Sequence, residues 1–260
     1  MISREEVFFP HEEIRPTQDS FLRAVKVAID NKKNLLGHIP TGTGKTAASL
    51  APALKYAIEN QTTIFFLTPR HTQHKLAIET LKQIKTKYNL DFSVVDFIGK
   101  KWMCAMKGTD LLASSEFQEY CKEVRENGTC QYYSNYKDKT KIIPREVLIK
   151  QLKEEPLHVE ELCKFSEEAK FCPFEIAGEV GKKSTVIVAD YFHLLSPSIR
   201  ESIFNRTEST LNNSIVILDE AQNLPDRCRD LLSTQLTTFT LDNAAKELSQ
   251  FQLSLDYNIN

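Results

Sequence analysis

Seven residues narrow the choice of fold for this chain more than any others. Pro40-Thr41-Gly42-Thr43-Gly44-Lys45-Thr46 lies between a short apolar stretch at 34–39, read as a strand, and an apolar periodicity at 46–58, read as a helix. Glycines in such a turn let successive backbone N–H groups face one point, and the helix that follows adds the positive end of its dipole. The result is a cradle for phosphates, built from Thr41, Gly42, Thr43 and Gly44. Lys45 is placed to neutralise the β- and γ-phosphates of a nucleotide such as ATP, and Thr46 to ligate Mg²⁺. Ile39 stands where the usual eight-residue pattern has its first glycine. The competing reading is a chance Gly/Thr turn.

The rest of the chain supplies the sheet that such a loop requires. Arg15-Pro16-Thr17-Gln18 opens a helix with Phe21, Leu22, Val25 and Ile29 on one face. Residues 62–67 read as a buried strand, 72–87 as a helix and 92–98 as a further strand. After a break the alternation resumes, with all-apolar strands at 184–190 and 214–218 around a helical stretch at 192–204. This rhythm predicts an α/β fold with a parallel sheet between helices. With 260 residues, 41% of them hydrophobic, the chain can bury one core of this kind and carry a smaller appendage.

A phosphate loop needs an acidic partner at the end of a neighbouring strand. Ile215-Val216-Ile217-Leu218 runs into Asp219-Glu220, where Asp219 can hold Mg²⁺ and Glu220 can polarise an attacking water. Taken alone, Asp-Glu after a strand also reads as a helix N-cap. Gln18 could pair through its amide with the N6 and N7 edge of adenine, or be an ordinary surface glutamine. Asp219-Glu220-Ala221-Gln222 resembles the DEAH box of superfamily-2 helicases, with Gln222 in the histidine position, and the compact T-G-T-G-K-T loop is the form seen in many helicases.

Residues 100–179 break the alternation. They hold five of the six cysteines, at Cys104, Cys121, Cys130, Cys163 and Cys172; Cys228 lies outside. The spacing is C-x16-C-x8-C-x32-C-x8-C, with no C-x2-C knuckle, so a zinc ribbon is a poor match. On spacing alone an iron–sulfur cluster, zinc and free buried thiols all stay open.

The order of phosphate loop, cysteine-rich insertion and D-E-A-x box resembles the XPD family of iron–sulfur DNA helicases, most of all its archaeal members. Trp102-Met103-Cys104, Gly128-Thr129-Cys130-Gln131-Tyr132-Tyr133 and Phe171-Cys172-Pro173-Phe174 carry the same likeness, which spans nearly the whole chain. The resemblance implies a RecA-like P-loop domain with a small insertion around a [4Fe–4S] cluster held by Cys104, Cys121, Cys130 and Cys172. Cys163 is then a buried thiol, unless it replaces a ligand. The implied organisation is a first motor domain at 1–99 and 180–235, the cluster insertion at 100–179, and the start of a helical arch-like segment at 236–260. The related DinG helicases share the plan.

A net charge of −2 gives no global attraction to nucleic acid, so any contact must be local. Pro69-Arg70-His71-Thr72-Gln73 follows a strand at the place where family members touch the DNA backbone, with Arg70 and Thr72 suited to phosphate. The alternative is a charged helix start with no partner. In the insertion, Lys100, Lys101, Lys137, Lys139 and Lys141 interleave with Trp102, Tyr132, Tyr133 and Tyr136, a mixture suited to single-stranded DNA or to a solvated loop. Tyr191-Phe192-His193 also resembles a DNA-facing segment.

The N-terminus lacks the basic start and apolar core of a signal peptide, and no apolar run approaches the ~20 residues that cross a bilayer. A soluble, cytoplasmic, monomeric protein with no membrane contact is expected. The chain stops about 40 residues after Asp219, with no second sheet-forming series. It therefore reads as a truncated product, an expression fragment or half of a split protein, whose second motor domain supplies arginine fingers elsewhere. The expected activity is that of the motor half of an ATP-dependent 5′-to-3′ DNA helicase, binding ATP and Mg²⁺ but hydrolysing weakly or not at all alone. The rival class is a non-catalytic nucleic-acid-binding or redox-responsive iron–sulfur protein derived from a helicase. Intact Lys45, Thr46, Asp219 and Glu220 favour the enzyme.

Overall fold

The computed structural model describes residues 2–40, 42–233 and 236–256, with side chains through 251 in the last segment. In chain order a single-turn helix, Arg4–Val7 (α1), precedes Pro16–Asp30 (α2), Lys45–Asn60 (α3), strand Thr63–Thr68 (β1), His71–Tyr88 (α4) and strand Val94–Asp96 (β2). Pro16 starts α2 because its missing N–H falls where no intrahelical partner exists. The Arg15 N–H at that end is taken up by Gln18 Oε1 at 3.0 Å. Asn89 closes α4 in the left-handed region, its N–H returning to Lys85 O.

The cysteine-rich segment is helical: Ser114–Glu126 (α5), Gln131–Lys137 (α6), Ile142–Glu154 (α7), Val159–Glu168 (α8) and Pro173–Gly181 (α9). Strand Val186–Asp190 (β3) follows, then Phe192–Leu195 (α10), Pro197–Thr207 (α11) and strand Ser214–Leu218 (β4). The sequence pattern reads 192–204 as one helical stretch, but Pro197 divides it, because a proline that cannot donate fits the first turn of a new helix better than the interior of an old one.

Among the described residues the strands form one four-stranded sheet in the order β2-β3-β1-β4, with every pairing parallel. The central strands β1 and β3 are apolar on both faces, as a doubly covered sheet demands. Ile64, Phe66, Val186 and Val188 join one core with Leu50 and Leu54 of α3 and Ile78 and Leu81 of α4. On the opposite face Phe65 meets Phe204 of α11 edge-on, with ring centroids 5.6 Å apart. This is the parallel α/β architecture the alternation predicts.

One expected strand is corrected. Residues 34–39 belong to no ladder, and Leu36 is 92% exposed. A strand persists only where its N–H and C=O groups find a neighbour. The described sheet ends at β4, where Val216 and Leu218 are themselves exposed. The expected strand at 92–98 also contracts, to the three residues of β2.

The described chain divides into two compact units, Met1–Gln222 and Asn223–Asn260. Residues 223–233, which the resemblance assigns to the motor, fall in the second unit. That unit contains Leu224–Leu232 (α12) and Thr238–Asp256 (α13). Residues 100–179 lie within the first unit. Among the described residues no helix is long and apolar enough to cross a membrane.

Candidate functional site

In a parallel sheet ligands gather at the carboxyl ends of the strands, where loops diverge and helix N-termini point inward. Thr68, Asp96, Asp190 and Asp219 all stand at or just past those ends.

The glycine loop is braced from several sides. Gly44 is the N-cap of α3 at φ +78°, a left-handed conformation that glycine adopts without penalty. It also lies so close to Gln18 that an added Cβ would sit 2.5 Å from Nε2. The Gln18 amide donates to Thr43 O at 2.6 Å, and the Thr43 hydroxyl donates to Pro40 O at 2.8 Å. Arg15 reaches Gly42 O at 3.4 Å. The buried Gln18 amide thus accepts from the start of α2 and donates to the loop, which makes it a brace between the two. Thr46 is buried in the first turn of α3. Thr41 lies outside the described residues.

The two motifs meet. Lys45 Nζ lies 3.1 Å from Glu220 Oε1, across 175 residues of sequence. The Asp219 N–H continues the ladder of β4 by donating to Leu67 O at 2.9 Å, so the Asp-Glu pair leaves the sheet in a fixed direction. Glu220 itself sits at φ +54°, which is rare for a residue with a side chain and is a strain that surrounding structure must hold. Burial raises the Asp219 carboxyl above its ordinary value, and the adjacent Glu220 charge adds to this while Lys45 opposes it. Glu220 is held below its ordinary value by a hydrogen bond from Gln222 and then by Lys45. The arrangement therefore pairs a half-buried carboxylate that is costly to ionise with a neighbour kept charged.

The candidate nucleic-acid residues separate into two groups. Arg70 and Thr72 are exposed at the start of α4. Thr68 shapes that loop, its hydroxyl accepting the Arg70 N–H at 3.2 Å and lying 3.1 Å from Gln73 Oε1. Lys101 and Tyr132 turn into the insertion instead. Lys101 donates to Leu112 O at 2.5 Å and stacks over Trp102, and Tyr132 lines a cavity. The expectation that Tyr191 touches DNA is corrected: the ring is 1% exposed and its hydroxyl donates to Asp219 O. The packing around the end of β3 buries this aromatic residue, which ties that strand end to the acidic motif.

That cavity in the insertion is lined by Cys104, Cys121, Cys130 and Cys172, with Phe117, Tyr132 and Phe174 among its walls. Cys163 is not part of the lining; its Sγ lies 4.0 Å from Met103 O. Burial pushes the Cys104 thiol up and carries Cys172 up to about 11, so metal loading at these sulfurs would have to displace protons. Among the described residues no group of three or more His, Cys, Asp or Glu side chains converges on a point that would hold a single metal ion.

Comparison with known proteins gives the site its context. The DEAD_2 family model matches residues 66–241, and the model for the Type III restriction enzyme res subunit matches residues 11–109. The chain is 27% identical over 263 aligned positions to the general transcription and DNA repair factor IIH helicase subunit XPD/RAD3 of Saccharomyces cerevisiae, covering 92% of this chain and 32% of that protein. It is 23% identical to a regulator of telomere elongation helicase 1 homolog of Caenorhabditis elegans, with 94% and 27% covered. It is 24% identical to the ATP-dependent DNA helicase CHL1 of Yarrowia lipolytica, with 82% and 27% covered. The chain thus spans about a third or less of the length of these relatives.

Proposed function

This chain belongs to the DEAD_2 family, and from that premise we propose that it is the ATP-binding motor domain of an XPD-type 5′-to-3′ DNA helicase. The observation that carries the reading is the 3.1 Å contact between Lys45 of the glycine loop and Glu220 of the acidic motif. Two segments with separate sequence signatures meet at this contact, which supports reading them as one nucleotide site.

In this reading Gly42, Thr43 and Gly44, with Thr41, bind the phosphates, and Lys45 exchanges its contact with Glu220 for the γ-phosphate. Glu220 is then released to orient the attacking water and accept its proton. Thr46 and Asp219 would hold Mg²⁺, which spreads the charge of the transferring group. Gln18 keeps the loop in shape. Hydrolysis at a useful rate would also draw on positive charge from a second motor domain.

The four cavity cysteines would hold a [4Fe–4S] cluster. What supports the fit is the donor set: four thiols share one largely apolar cavity, whose lining does not include Cys163. A cluster distributes its thiolates over four irons, so its ligands need not converge on one point as for a single ion. When bound, it would organise the fold of the insertion and could respond to redox conditions.

Single-stranded DNA would cross the start of α4, where Arg70 and Thr72 are exposed. The test is fluorescence anisotropy with a labelled single-stranded oligonucleotide, titrated at several salt concentrations. The reading predicts saturable, salt-sensitive binding that weakens in Arg70→Ala and exceeds binding to a duplex of the same length. Equal, Arg70-independent binding to both would remove the nucleic-acid half of the proposal.

A further inference from the structure

One buried group of titratable side chains serves neither the nucleotide site nor the cysteine cavity. Asp96 ends β2 and is 0% exposed, as is the side chain of His74 on α4. His74 Nδ1 lies 2.5 Å from Asp96 Oδ1. The other carboxylate oxygen accepts the backbone N–H of Val159, the first residue of α8, at 3.0 Å. His158, the N-cap of α8, holds Nε2 3.7 Å from the same oxygen while its Nδ1 accepts the Glu160 N–H at 3.4 Å. The His71 ring meets His74 edge-on, 5.5 Å away.

One carboxylate thus joins three elements that are far apart in sequence. It is carried by the sheet; one oxygen holds the first turns of α4, next to Arg70 and Thr72; the other holds the start of the insertion's α8. One turn further along α8, Cys163 lies against Met103, the residue before Cys104. A buried carboxylate is costly to desolvate, and an apolar residue of similar size would often serve stability as well or better. Its use here suits a demand for direction: two bonds from a rigid fork at a strand end fix two helix starts relative to each other.

We propose that Asp96 is a positioning residue that couples the exposed first turn of α4 to the cysteine-rich insertion, so that a ligand ordering one also orders the other. The coupling to nucleic acid rests on the reading of Arg70 and Thr72 given above; the clamp itself does not.

The experiment is anaerobic hydrogen–deuterium exchange on the whole chain, in the wild type, Asp96→Asn and Asp96→Ala, with and without a single-stranded oligonucleotide. Exchange in β1 reports whether each variant is folded. Without oligonucleotide, Asp96→Ala speeds exchange at 71–75 and at 159–163 together by about tenfold, the scale of one lost hydrogen bond to a charged group. Asp96→Asn keeps an oxygen for Val159, so it frees 71–75 more than 159–163. With oligonucleotide, protection appears at 71–75 in every folded form but reaches 159–163 only in the wild type. Unchanged protection at 159–163 in folded Asp96→Ala overturns the clamp. Equal transmission of protection in Asp96→Ala and wild type overturns the coupling. An oligonucleotide that protects nothing in the wild type removes the coupling together with the DNA reading, while the exchange measured without it still decides the clamp. Should Asp96→Ala lose protection in β1, Asp96→Asn alone carries the test, and equal exchange at 71–75 in Asp96→Asn and wild type overturns the clamp.

Discussion

Replacing Gly44 by alanine separates two costs that the structure places on one atom. At φ +78° any Cβ is strained, and the left-handed region costs a non-glycine residue roughly 1–2 kcal/mol. The same Cβ would lie 2.5 Å from Gln18 Nε2, so the amide must leave its bond to Thr43 O. Losing that bond adds about 1 kcal/mol. Gly42 provides the control: it sits at φ +77°, and a Cβ added there would meet nothing within 4 Å, so Gly42→Ala carries the conformational cost alone. Urea melts followed by circular dichroism should place Gly44→Ala about 2–3 kcal/mol below the wild type and Gly42→Ala about 1–2 kcal/mol below it. Adding Gln18→Ala to Gly44→Ala should cost less than the sum of the two single changes, since the brace is already displaced. If Gly44→Ala is no less stable than Gly42→Ala, or if the double variant is strictly additive, the account of Gln18 as a brace is wrong.

Further predictions concern the acidic motif and the thiols. Burial raises the Asp219 carboxyl, so the folded state holds its proton to higher pH than the unfolded chain does, and this group costs stability increasingly as pH rises from the unfolded carboxylate range through the raised value. Asp219→Asn should therefore melt at or above the wild-type temperature at pH 7, with the gap closing toward acid, while Mg²⁺-dependent nucleotide binding is lost; a clear drop in melting temperature at pH 7 would contradict this. Glu220→Gln should keep nucleotide binding, and in a protein joined to its second motor domain should lower ATP turnover by about 100-fold or more; unchanged turnover would take the water-orienting role from Glu220. Protein purified without oxygen should absorb broadly near 400 nm with about four irons per chain. Cys130→Ser should abolish the absorbance and Cys163→Ser should leave it; the reverse pattern would exchange their roles, and colourless protein would remove the cluster.

The features legible in the sequence are those whose signals are local. The strand at 214–218 appears with the bounds expected, because five consecutive apolar or small residues bounded by turn residues leave little choice. The loop at 40–46 and its following helix are legible for the same reason. Residues 34–39 are not, because an apolar run records a tendency to be buried and not whether a partner strand is at hand. Tyr191 misleads in the other direction: a tyrosine after a strand can face solvent or turn inward, and only the packing around β3 and β4 decides. The Asp96 cluster is invisible in the sequence, since His74 and Val159 lie 22 and 63 residues from Asp96 and none has a motif around it. The five cysteines of the insertion are visible as a set, spacing alone leaves their roles open, and the cavity is lined by the four that the resemblance selects.

The central claim is that the glycine loop and the acidic motif together hold a magnesium nucleotide, and isothermal titration of the chain with ATP tests it most directly. The account predicts saturable binding at one site per chain in the presence of Mg²⁺, greatly weakened in Lys45→Ala and by chelation of the metal. Absence of binding by folded wild-type protein, or binding indifferent to both Lys45 and Mg²⁺, would contradict it.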